Sequence, residues 1–189
     1  MKKILVETSA RHMHLTQEAV DTLFGKGYQL TKKKDLSQPG QYACAEKVEV
    51  VGPKGSLMMS ILGPTRPESQ VEVSFTDARA LGITPPVRES GDIAGTPGCT
   101  LRVGENTVEL AEGVIVAKRH IHLTPEAAAE FGVADKEIVK VCVSGTGRTT
   151  IFDDVVIRVK DSFAPAMHID TDECNAAAAF GTVEGEIIA

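Results

Sequence analysis

A length of 189 residues allows one sizeable hydrophobic core or two small ones. The formal net charge of −6 argues against a broad nucleic-acid-binding surface, which needs a basic face to release counterions from phosphates. No stretch approaches the ~20 apolar residues of a membrane helix, and the N-terminus has no apolar run of signal-peptide length. The sequence therefore predicts a soluble cytoplasmic protein that binds neither nucleic acid nor membrane.

The motif Arg-His-x-His-Leu-Thr begins at Arg11 and occurs again at Arg119. Side chains alternate across a strand, so two histidines separated by one residue offer two imidazoles to one point in space. Neutral imidazole is the commonest metal ligand in proteins, and zinc is the favoured metal. The two copies hold four of the five histidines, namely His12, His14, His120 and His122. With His168 they predict a metal site shared between two halves of the molecule.

Each histidine pair is followed by signals for the start of a helix. Thr16 and Thr124 are good N-caps, and Pro125 suits a first helical position. Glu18 and Glu126 favour the positive end of the helix dipole. Each copy therefore predicts a strand, a cap and a short helix.

Most of the remaining pattern predicts short strands. A hairpin is expected from strands at 48–51 and 56–62 joined by a turn at 52–55. Further strands are predicted at 71–75, 107–110, 114–117, 138–143, 149–152 and 155–159. A late helix is predicted at 174–180, after Thr171 or Asp172 and before Gly181. Strands at this spacing favour small β-barrels or sandwiches.

The stretch 85–98 contains three prolines and three glycines and predicts a loop between two halves. We therefore expect two related β-barrel lobes, at 1–90 and 91–189, between which strands could be exchanged. The first lobe carries the first histidine motif, and the second carries the second motif and the late helix. A ligand site is expected at the interface of the lobes, because clefts between lobes frequently bind ligands.

Two further features have ordinary structural interpretations. The only run of positive charge, Lys32 to Lys34, predicts a solvated loop, with contact to a phosphate-bearing ligand as the alternative. The cysteines, Cys44, Cys99, Cys142 and Cys174, form no C-x-x-C pair and predict buried or reduced thiols.

Several polar residues are candidates for the chemistry. Arg66 lies in a loop constrained by glycine and proline, and a fixed guanidinium suits bidentate capture of phosphate or carboxylate; an exposed arginine is the alternative. Glu72 could be a surface residue, a zinc ligand or a general base. Asp170 and Asp172 do not complete a calcium loop, so they are expected to orient imidazoles or to cap a helix.

Nearly the whole chain resembles the PduL-type phosphotransacylases, also called phosphate propanoyltransferases. The resemblance rests on collinear segments at 9–15, 36–40, 62–66, 70–74, 76–78, 86–92, 119–122 and 168–173. It implies two β-barrel domains with short helices, a dinuclear zinc site between them, and a role in propanediol degradation. The implied reaction reversibly converts acyl-CoA and phosphate to acyl phosphate and CoA.

The resemblance also implies roles for individual residues. Arg66 corresponds to the phosphate-binding arginine, and Ser9 and Asn175 fall where the family contacts CoA. Many relatives have Ala at the position of Cys174 and a basic residue at that of Ser60. The implied zinc ligands are His12, His14 and Glu72 around one ion and His120, His122 and His168 around the other.

We therefore expect a phosphate acyltransferase that acts on propanoyl-CoA or acetyl-CoA by direct attack of phosphate, with Cys174 as the competing nucleophile. A zinc-dependent thioester hydrolase and a non-catalytic metal-binding two-barrel protein are the alternatives. A homodimer is expected, since it is the commonest soluble oligomer. The first motif lies close to the N-terminus without a microcompartment-targeting extension, which favours a free cytoplasmic enzyme.

Overall fold

The computed structural model describes residues 3–188, which form fifteen β-strands and four short α-helices. The helices are α1 (Gln17–Phe24), α2 (Phe75–Leu81), α3 (Pro125–Phe131) and α4 (Thr171–Ala177). The strands are β1 (Lys3–Thr8), β2 (His12–His14), β3 (Lys32–Asp35), β4 (Tyr42–Val51), β5 (Ser56–Gly63), β6 (Gln70–Glu72), β7 (Val87–Arg88), β8 (Cys99–Val103), β9 (Asn106–Leu110), β10 (Val114–Ala117), β11 (His120–Leu123), β12 (Ile138–Val143), β13 (Thr150–Val159), β14 (Ala166–Ile169) and β15 (Val183–Ile188).

The described residues divide into two compact units. The first, which we call the sheet unit, comprises Ala10–Leu36 and Gly40–Ala117. The second, the barrel unit, comprises residues 3–9, 37–39 and 118–188. Both are built mainly from short strands, which confirms the prediction of a β protein with short helices and two barrel-like domains.

The barrel unit is a closed six-stranded barrel in the order β1, β14, β11, β13, β12, β15. β1 closes it by pairing in parallel with β14 and antiparallel with β15. Alternate side chains along the strands point inward, and apolar ones fill the core, among them Val6, Ile121, Val141, Ile157 and Met167.

The sheet unit is a nine-stranded sheet in the order β7, β10, β6, β2, β5, β4, β8, β9, with β3 paired to the edge of β4. Its core contains Met13, Leu15, Ile61, Leu81 and Leu101, all fully buried. The strands β2 and β6, which carry the first histidine motif and Glu72, are central in this order and antiparallel to each other.

The predicted boundary near residue 90 differs from this division. Residues 99–117 belong to the sheet unit, because β8 pairs with β4 and β10 pairs with β6. Residues 3–9 belong to the barrel unit, because β1 pairs with strands near the end of the chain. Such long-range pairings leave no mark on the local composition by which a loop is recognised.

The strand, cap and helix order after each histidine motif is confirmed. Thr16 Oγ1 accepts a hydrogen bond from the backbone N–H of Ala19 at 3.1 Å, and Thr124 Oγ1 accepts one from Ala127 at 3.2 Å. Pro125 is the first residue of α3, where its missing N–H leaves no intrahelical bond unmade. Within residues 3–188, none of the helices has the length and apolar character needed to cross a membrane.

Other predicted elements are right in position but not in extent. The hairpin of β4 and β5 is confirmed, with Gly52 N–H bonded to Gly55 O at 2.8 Å. The strands expected at 149–152 and 155–159 are one strand, β13, in which Asp154 has a φ of 56° beside a shift in register with β12.

The lysine run is an exposed strand, β3, rather than a loop. The four cysteines are free thiols, as predicted.

One helix was not predicted, and the start of another was misplaced. The strand predicted at 71–75 ends at Glu72, because the Ser74 side chain caps α2. The late helix begins at Thr171, three residues before the predicted start, because Asp170 is its N-cap. It ends when Ala178 adopts a left-handed conformation with a φ of 49°.

Candidate functional site

The first histidine pair and Glu72 form a buried group within the sheet unit. β2 and β6 are antiparallel, and their register places His12 directly opposite Glu72. One ligand atom from each of His12, His14 and Glu72 lies within 4.8 Å of the others, and Nε2 of His12 is 3.4 Å from Oε2 of Glu72. The prediction that the two histidines share one face of a strand is therefore confirmed.

Backbone carbonyls orient both imidazoles of this group. Nδ1 of His12 donates to Ala10 O at 2.8 Å, and Nδ1 of His14 donates to Leu62 O at 3.2 Å. A ring held in this way by Nδ1 presents Nε2 to a metal, and such a partner fixes the tautomer and the ring plane.

The Glu72 carboxylate is held by two buried or half-buried side chains. Its Oε1 accepts from Gln70 Nε2 at 2.6 Å and from Ser90 Oγ at 2.8 Å. Gln70 also accepts from the backbone N–H of Gly91 at 2.7 Å, so it fixes both the carboxylate and the loop that carries Ser90. These bonds occupy Oε1 and leave Oε2 on the side of His12.

The charges in this group shift the pKa values of its members. Burial by itself lowers the pKa of His12, but the neighbouring Glu72 carboxylate raises it above the ordinary value. Burial, with the charges of His12 and Arg66, lowers the pKa of His14 to about 3. Burial disfavours the charged form of Glu72, yet attraction to His12 holds its pKa well below the usual range. Around neutral pH the group therefore offers an ionised carboxylate and a neutral His14.

The barrel unit contains a second group with the same strand relationship. β11 and β14 are antiparallel, and His120 lies directly opposite His168. One ligand atom from each of His120, His122 and His168 lies within 4.8 Å of the others. Nδ1 of His120 donates to Lys118 O at 2.8 Å, which repeats the bond from His12 to the carbonyl two residues before it.

His122 provides the test of whether this second group suits a metal. Its Nδ1 is buried and has no hydrogen-bond partner within residues 3–188. Burial, together with His120 and His168, lowers its pKa to about 2, so the ring is neutral at physiological pH. A buried, neutral imidazole with an unsatisfied nitrogen is costly unless that ring binds a ligand. Three nitrogen donors, like the two nitrogens and one oxygen of the first group, fit zinc and leave a fourth position open.

The surroundings of His168 come from distant parts of the chain. Oε2 of Glu7 lies 3.8 Å from its Nδ1, and Nε2 of Gln38 lies 3.5 Å from its Nε2. The buried Gln38 amide is itself fixed by Ala164, to whose carbonyl it donates at 2.9 Å and from whose N–H it accepts at 3.2 Å.

The structure brings Arg66 close to the first group. Its backbone N–H donates to Leu15 O at 2.9 Å, and Nη1 donates weakly to Ser90 Oγ at 3.4 Å. Its positive charge helps to lower the pKa of His14 and opposes the rise in the pKa of His12 that Glu72 causes. A half-buried guanidinium beside a neutral imidazole is well placed to bind an anion.

The two residues expected to contact CoA both lie in the barrel unit. The backbone N–H of Ser9 donates to Ile169 O at 2.7 Å, next to His168. Asn175 is exposed on α4. Their contact with CoA stays a prediction. The neighbouring Cys174 is buried, and its Sγ–H donates to Ala179 O at 3.1 Å.

Sequence reasoning missed the side chains that support the candidate ligands. Gln70 and Ser90 hold Glu72, but they are distant along the sequence from the histidine motif that they help to complete. Asp77 and Glu173 could have been found, because Ser74 and Asp170 each precede an acidic residue by three positions, which is the signature of a capping box. Both boxes are present in the structure, and the prediction that Asp170 caps a helix is confirmed.

Comparison with known proteins identifies the family. A family model described as phosphate propanoyltransferase matches residues 5–180. A protein of Listeria monocytogenes named phosphate propanoyltransferase is 56% identical over 184 residues, which is 97% of this chain and 86% of the relative. Proteins of the same name from Enterococcus faecalis and Thermotoga maritima are 60% and 56% identical, over 90% and 92% of this chain and 81% and 83% of the relatives.

These matches cover most of the chain and most of each relative. The matches show that this protein, with its two barrel-like β units, is an acyltransferase enzyme. The chain belongs to the phosphate propanoyltransferase family.

Proposed function

We propose that the protein transfers a short acyl group reversibly between CoA and phosphate, with propanoyl-CoA or acetyl-CoA as the thioester and two zinc ions per chain. Family membership supports the phosphate acyltransferase activity. The observation that carries the finer proposal is the pair of ligand groups, in which three donor atoms lie within 4.8 Å of one another. Three protein ligands are typical of catalytic rather than structural zinc, because the fourth position stays open to substrate.

The residues of each group have separate tasks in this proposal. His12, His14 and Glu72 would hold one zinc ion, and His120, His122 and His168 would hold the other. When bound, zinc would supply Lewis-acid stabilisation of negative charge on the reacting oxygens. The bonds from Gln70 and Ser90 to Glu72 keep one carboxylate oxygen turned toward His12 before any ligand arrives.

Arg66 binds phosphate in the proposed reaction. Its guanidinium neutralises an anion that would otherwise be repelled by the negatively charged CoA, and its planar fork suits two phosphate oxygens at once. A phosphate oxygen attacks the thioester carbonyl carbon, the C–S bond breaks, and CoA leaves as the thiolate, so that acyl phosphate forms without an acyl-enzyme. Correct placement of the two reactants supplies much of the rate.

Two further assignments complete the proposal. Ser9 and Asn175 contact CoA, whose thioester is thereby brought to the phosphate. Cys174 is not the nucleophile, since it is 4% exposed and its Sγ–H already bonds to the carbonyl of Ala179. A covalent route needs a thiolate activated by a neighbouring base or a cation.

The test measures CoA release from propanoyl-CoA and acetyl-CoA with and without phosphate, acyl phosphate trapped with hydroxylamine, and zinc per chain. We expect release that requires phosphate, an equal yield of acyl phosphate, and about two zinc ions per chain. Equal CoA release without phosphate and no acyl phosphate would identify a thioester hydrolase. One firmly held metal with no acyl transfer would identify a non-catalytic metal-binding protein.

Because both zinc ions are proposed to serve one reaction, emptying either group should abolish transfer. His14→Ala and His122→Ala are the matched variants, one in each unit. Transfer at the wild-type rate in a variant that has lost one zinc ion would contradict the two-zinc proposal while leaving the acyltransferase activity intact.

A further inference from the structure

The arginine that opens each histidine motif forms an ion pair with a helix-capping carboxylate. Arg11 Nη1 lies 2.7 Å from Asp77 Oδ1, and Arg119 Nε lies 2.7 Å from Glu173 Oε1. Each arginine immediately precedes the first histidine of its motif, and each acid is the third residue of a helix.

The two acids occupy equivalent positions relative to the third ligand of each group. Glu72 is followed after two residues by the cap Ser74 and after five by Asp77. His168 is followed after two residues by the cap Asp170 and after five by Glu173. The same spacing occurs twice in segments whose sequences otherwise differ. We therefore regard the arrangement as a structural feature of both ligand groups and not of one segment alone.

The two oxygens of each carboxylate have different partners. Asp77 Oδ2 accepts from the backbone N–H of Ser74 at 3.4 Å, while Oδ1 faces Arg11. Glu173 Oε2 accepts from the backbone N–H of Asp170 at 3.0 Å, while Oε1 faces Arg119. The carboxylate of Asp77 or Glu173 therefore connects the arginine to the N-cap residue, which lies two residues after Glu72 or His168 in the sequence.

These pairs differ from ordinary surface ion pairs, which contribute little. The acidic side chains are 9% exposed for Asp77 and 19% for Glu173, while those of Arg11 and Arg119 are 44% and 31% exposed, so each pair is shielded from water mainly on its acidic side. Arg119 is held further by a bond from Nη1 to Asp153 O at 3.0 Å and by the Phe152 ring, whose centroid is 5.4 Å from its guanidinium carbon. An arginine held in this way can fix the position of its own strand relative to the capping carboxylate.

We infer that Arg11 and Arg119 are positioning residues. Through its ion pair with the capping carboxylate, each arginine holds the strand of the third metal ligand in place beside the His-x-His strand. Arg11 and Asp77 thereby set Glu72 against His12 and His14. Arg119 and Glu173 set His168 against His120 and His122. The inference rests on the proposed zinc sites. It assigns to the first residue of the motif a role in metal affinity without contact with the metal.

The test compares zinc affinity in single-site backgrounds by competition with a chelator. His14→Ala leaves the barrel-unit group intact, and His122→Ala leaves the sheet-unit group intact. We expect Arg119→Gln to weaken the zinc that remains in the His14→Ala background by about 10–100-fold, which is typical when a residue supporting a ligand is lost. Arg11→Gln should leave that zinc unchanged, and the pattern should reverse in the His122→Ala background.

Conservative variants separate positioning from general stability. Arg11 uses one nitrogen in its pair, so Arg11→Lys should restore most of the affinity lost in Arg11→Gln. Arg119 uses Nε for Glu173 and Nη1 for Asp153 O, so Arg119→Lys should restore little. The matched control is Arg102→Gln, which breaks the ion pair of Arg102 with Glu49 at 2.9 Å on strands that carry no ligand.

Two results would overturn the inference: zinc affinity unchanged in both arginine variants, or an equal loss at both groups and in the Arg102 control. The second would show that the pairs merely stabilise the fold. Failure of the proposed function is a different result, since it would appear in the unsubstituted protein as absent zinc or absent phosphate-dependent CoA release.

Discussion

His12 and Glu72 face each other directly across two antiparallel strands, with Nε2 of the histidine 3.4 Å from Oε2 of the glutamate. His120 and His168 have the same relation in the barrel unit. In both groups the first histidine of the motif and the third candidate ligand form a cross-strand pair, so the geometry depends on strand register. A slip of one residue would turn the third ligand to the opposite face of the sheet.

Shortening Glu72 tests this cross-strand geometry. Glu72→Asp keeps the negative charge but withdraws the carboxylate by one methylene from His12. We expect the variant to lose zinc from the sheet-unit group and to retain the zinc of the barrel unit, as measured by metal content after dialysis against a weak chelator. Glu68→Asp, an exposed position in the same unit, is the control. Two retained zinc ions would contradict the expected dependence on the length of the Glu72 side chain, and retention in Glu72→Ala as well would show that Glu72 is not a ligand.

Arg66 should determine the use of phosphate. We expect Arg66→Ala to raise the KM for phosphate at least tenfold, because a charge-assisted bond to an anion contributes about 1.5–3 kcal/mol, while the zinc content stays at the wild-type level. Arg66→Lys should recover part of the loss, since lysine keeps the charge but not the planar fork. An unchanged KM for phosphate in Arg66→Ala would refute the assignment.

Cys174→Ala should retain substantial acyl transfer. The buried thiol makes one weak bond to Ala179 O, and direct attack by phosphate does not need it. We expect at most a small loss of thermal stability, measured by the Tm, and a rate within a few-fold of wild type. Complete inactivity with normal zinc content and circular dichroism would instead indicate a covalent acyl-enzyme.

The metal-free protein should lose stability as the pH falls from 7 to 5. In the folded protein the pKa values of His14 and His122 are lowered from 6.5 to about 3 and about 2. Below pH 6.5 these two residues are therefore protonated in the unfolded chain but not in the folded chain, and this stabilises the unfolded state. The raised pKa of His12 acts in the opposite direction, because the folded chain holds that proton more firmly. Because the pKa is lowered for two histidines and raised for only one, we expect a net loss of unfolding free energy on the order of 2 kcal/mol.

Urea unfolding of chelator-treated protein at pH 7, 6 and 5 measures this loss. A variant with both His14→Gln and His122→Gln should show a flatter dependence on pH. Stability that stays constant, or rises, toward pH 5 in the unsubstituted protein would contradict the assigned directions.

The cysteines should differ in reactivity. Burial raises the pKa of the Cys44 thiol to about 11 and that of Cys99 to about 12, so both stay protonated at pH 8. We expect iodoacetamide at pH 8 to label the more accessible Cys142 first, and to label Cys44 and Cys99 only after unfolding in urea. Peptide mass spectrometry identifies the sites, and rapid labelling of Cys99 in the native protein would contradict its buried position on β8.

The local parts of the site were predictable from the sequence. His12 and His14 share a face because of strand periodicity, and Thr16 caps the next helix because its hydroxyl suits the first free N–H groups. The sequence itself made His168 a candidate ligand and Glu72 a possible one, and the resemblance to the family assigned them to two separate groups. Their position opposite the first histidine of each pair is a matter of strand register, which periodicity alone does not determine.

The remaining features depend on contacts between distant segments. Ser74 fits an alternating strand equally well until its side chain is seen to bond Asp77 N–H. Gln38 was expected only as part of a family motif, yet it bonds Ala164 at both ends of its amide. The predicted boundary differs from the division into compact units for the same reason, because β1 pairs with β14 and β15 rather than with its neighbours in sequence.

The pairing of β1 also constrains the order in which the chain can fold. Among residues 3–188, the strand β1 pairs with the strands at 166–169 and 183–188, so during synthesis its place in the barrel cannot be completed until nearly the whole chain has been made. The sheet unit ends at residue 117 and has all of its strands available earlier. Since domains generally fold as units, the sheet unit can form first, and the strand that precedes it joins its barrel last.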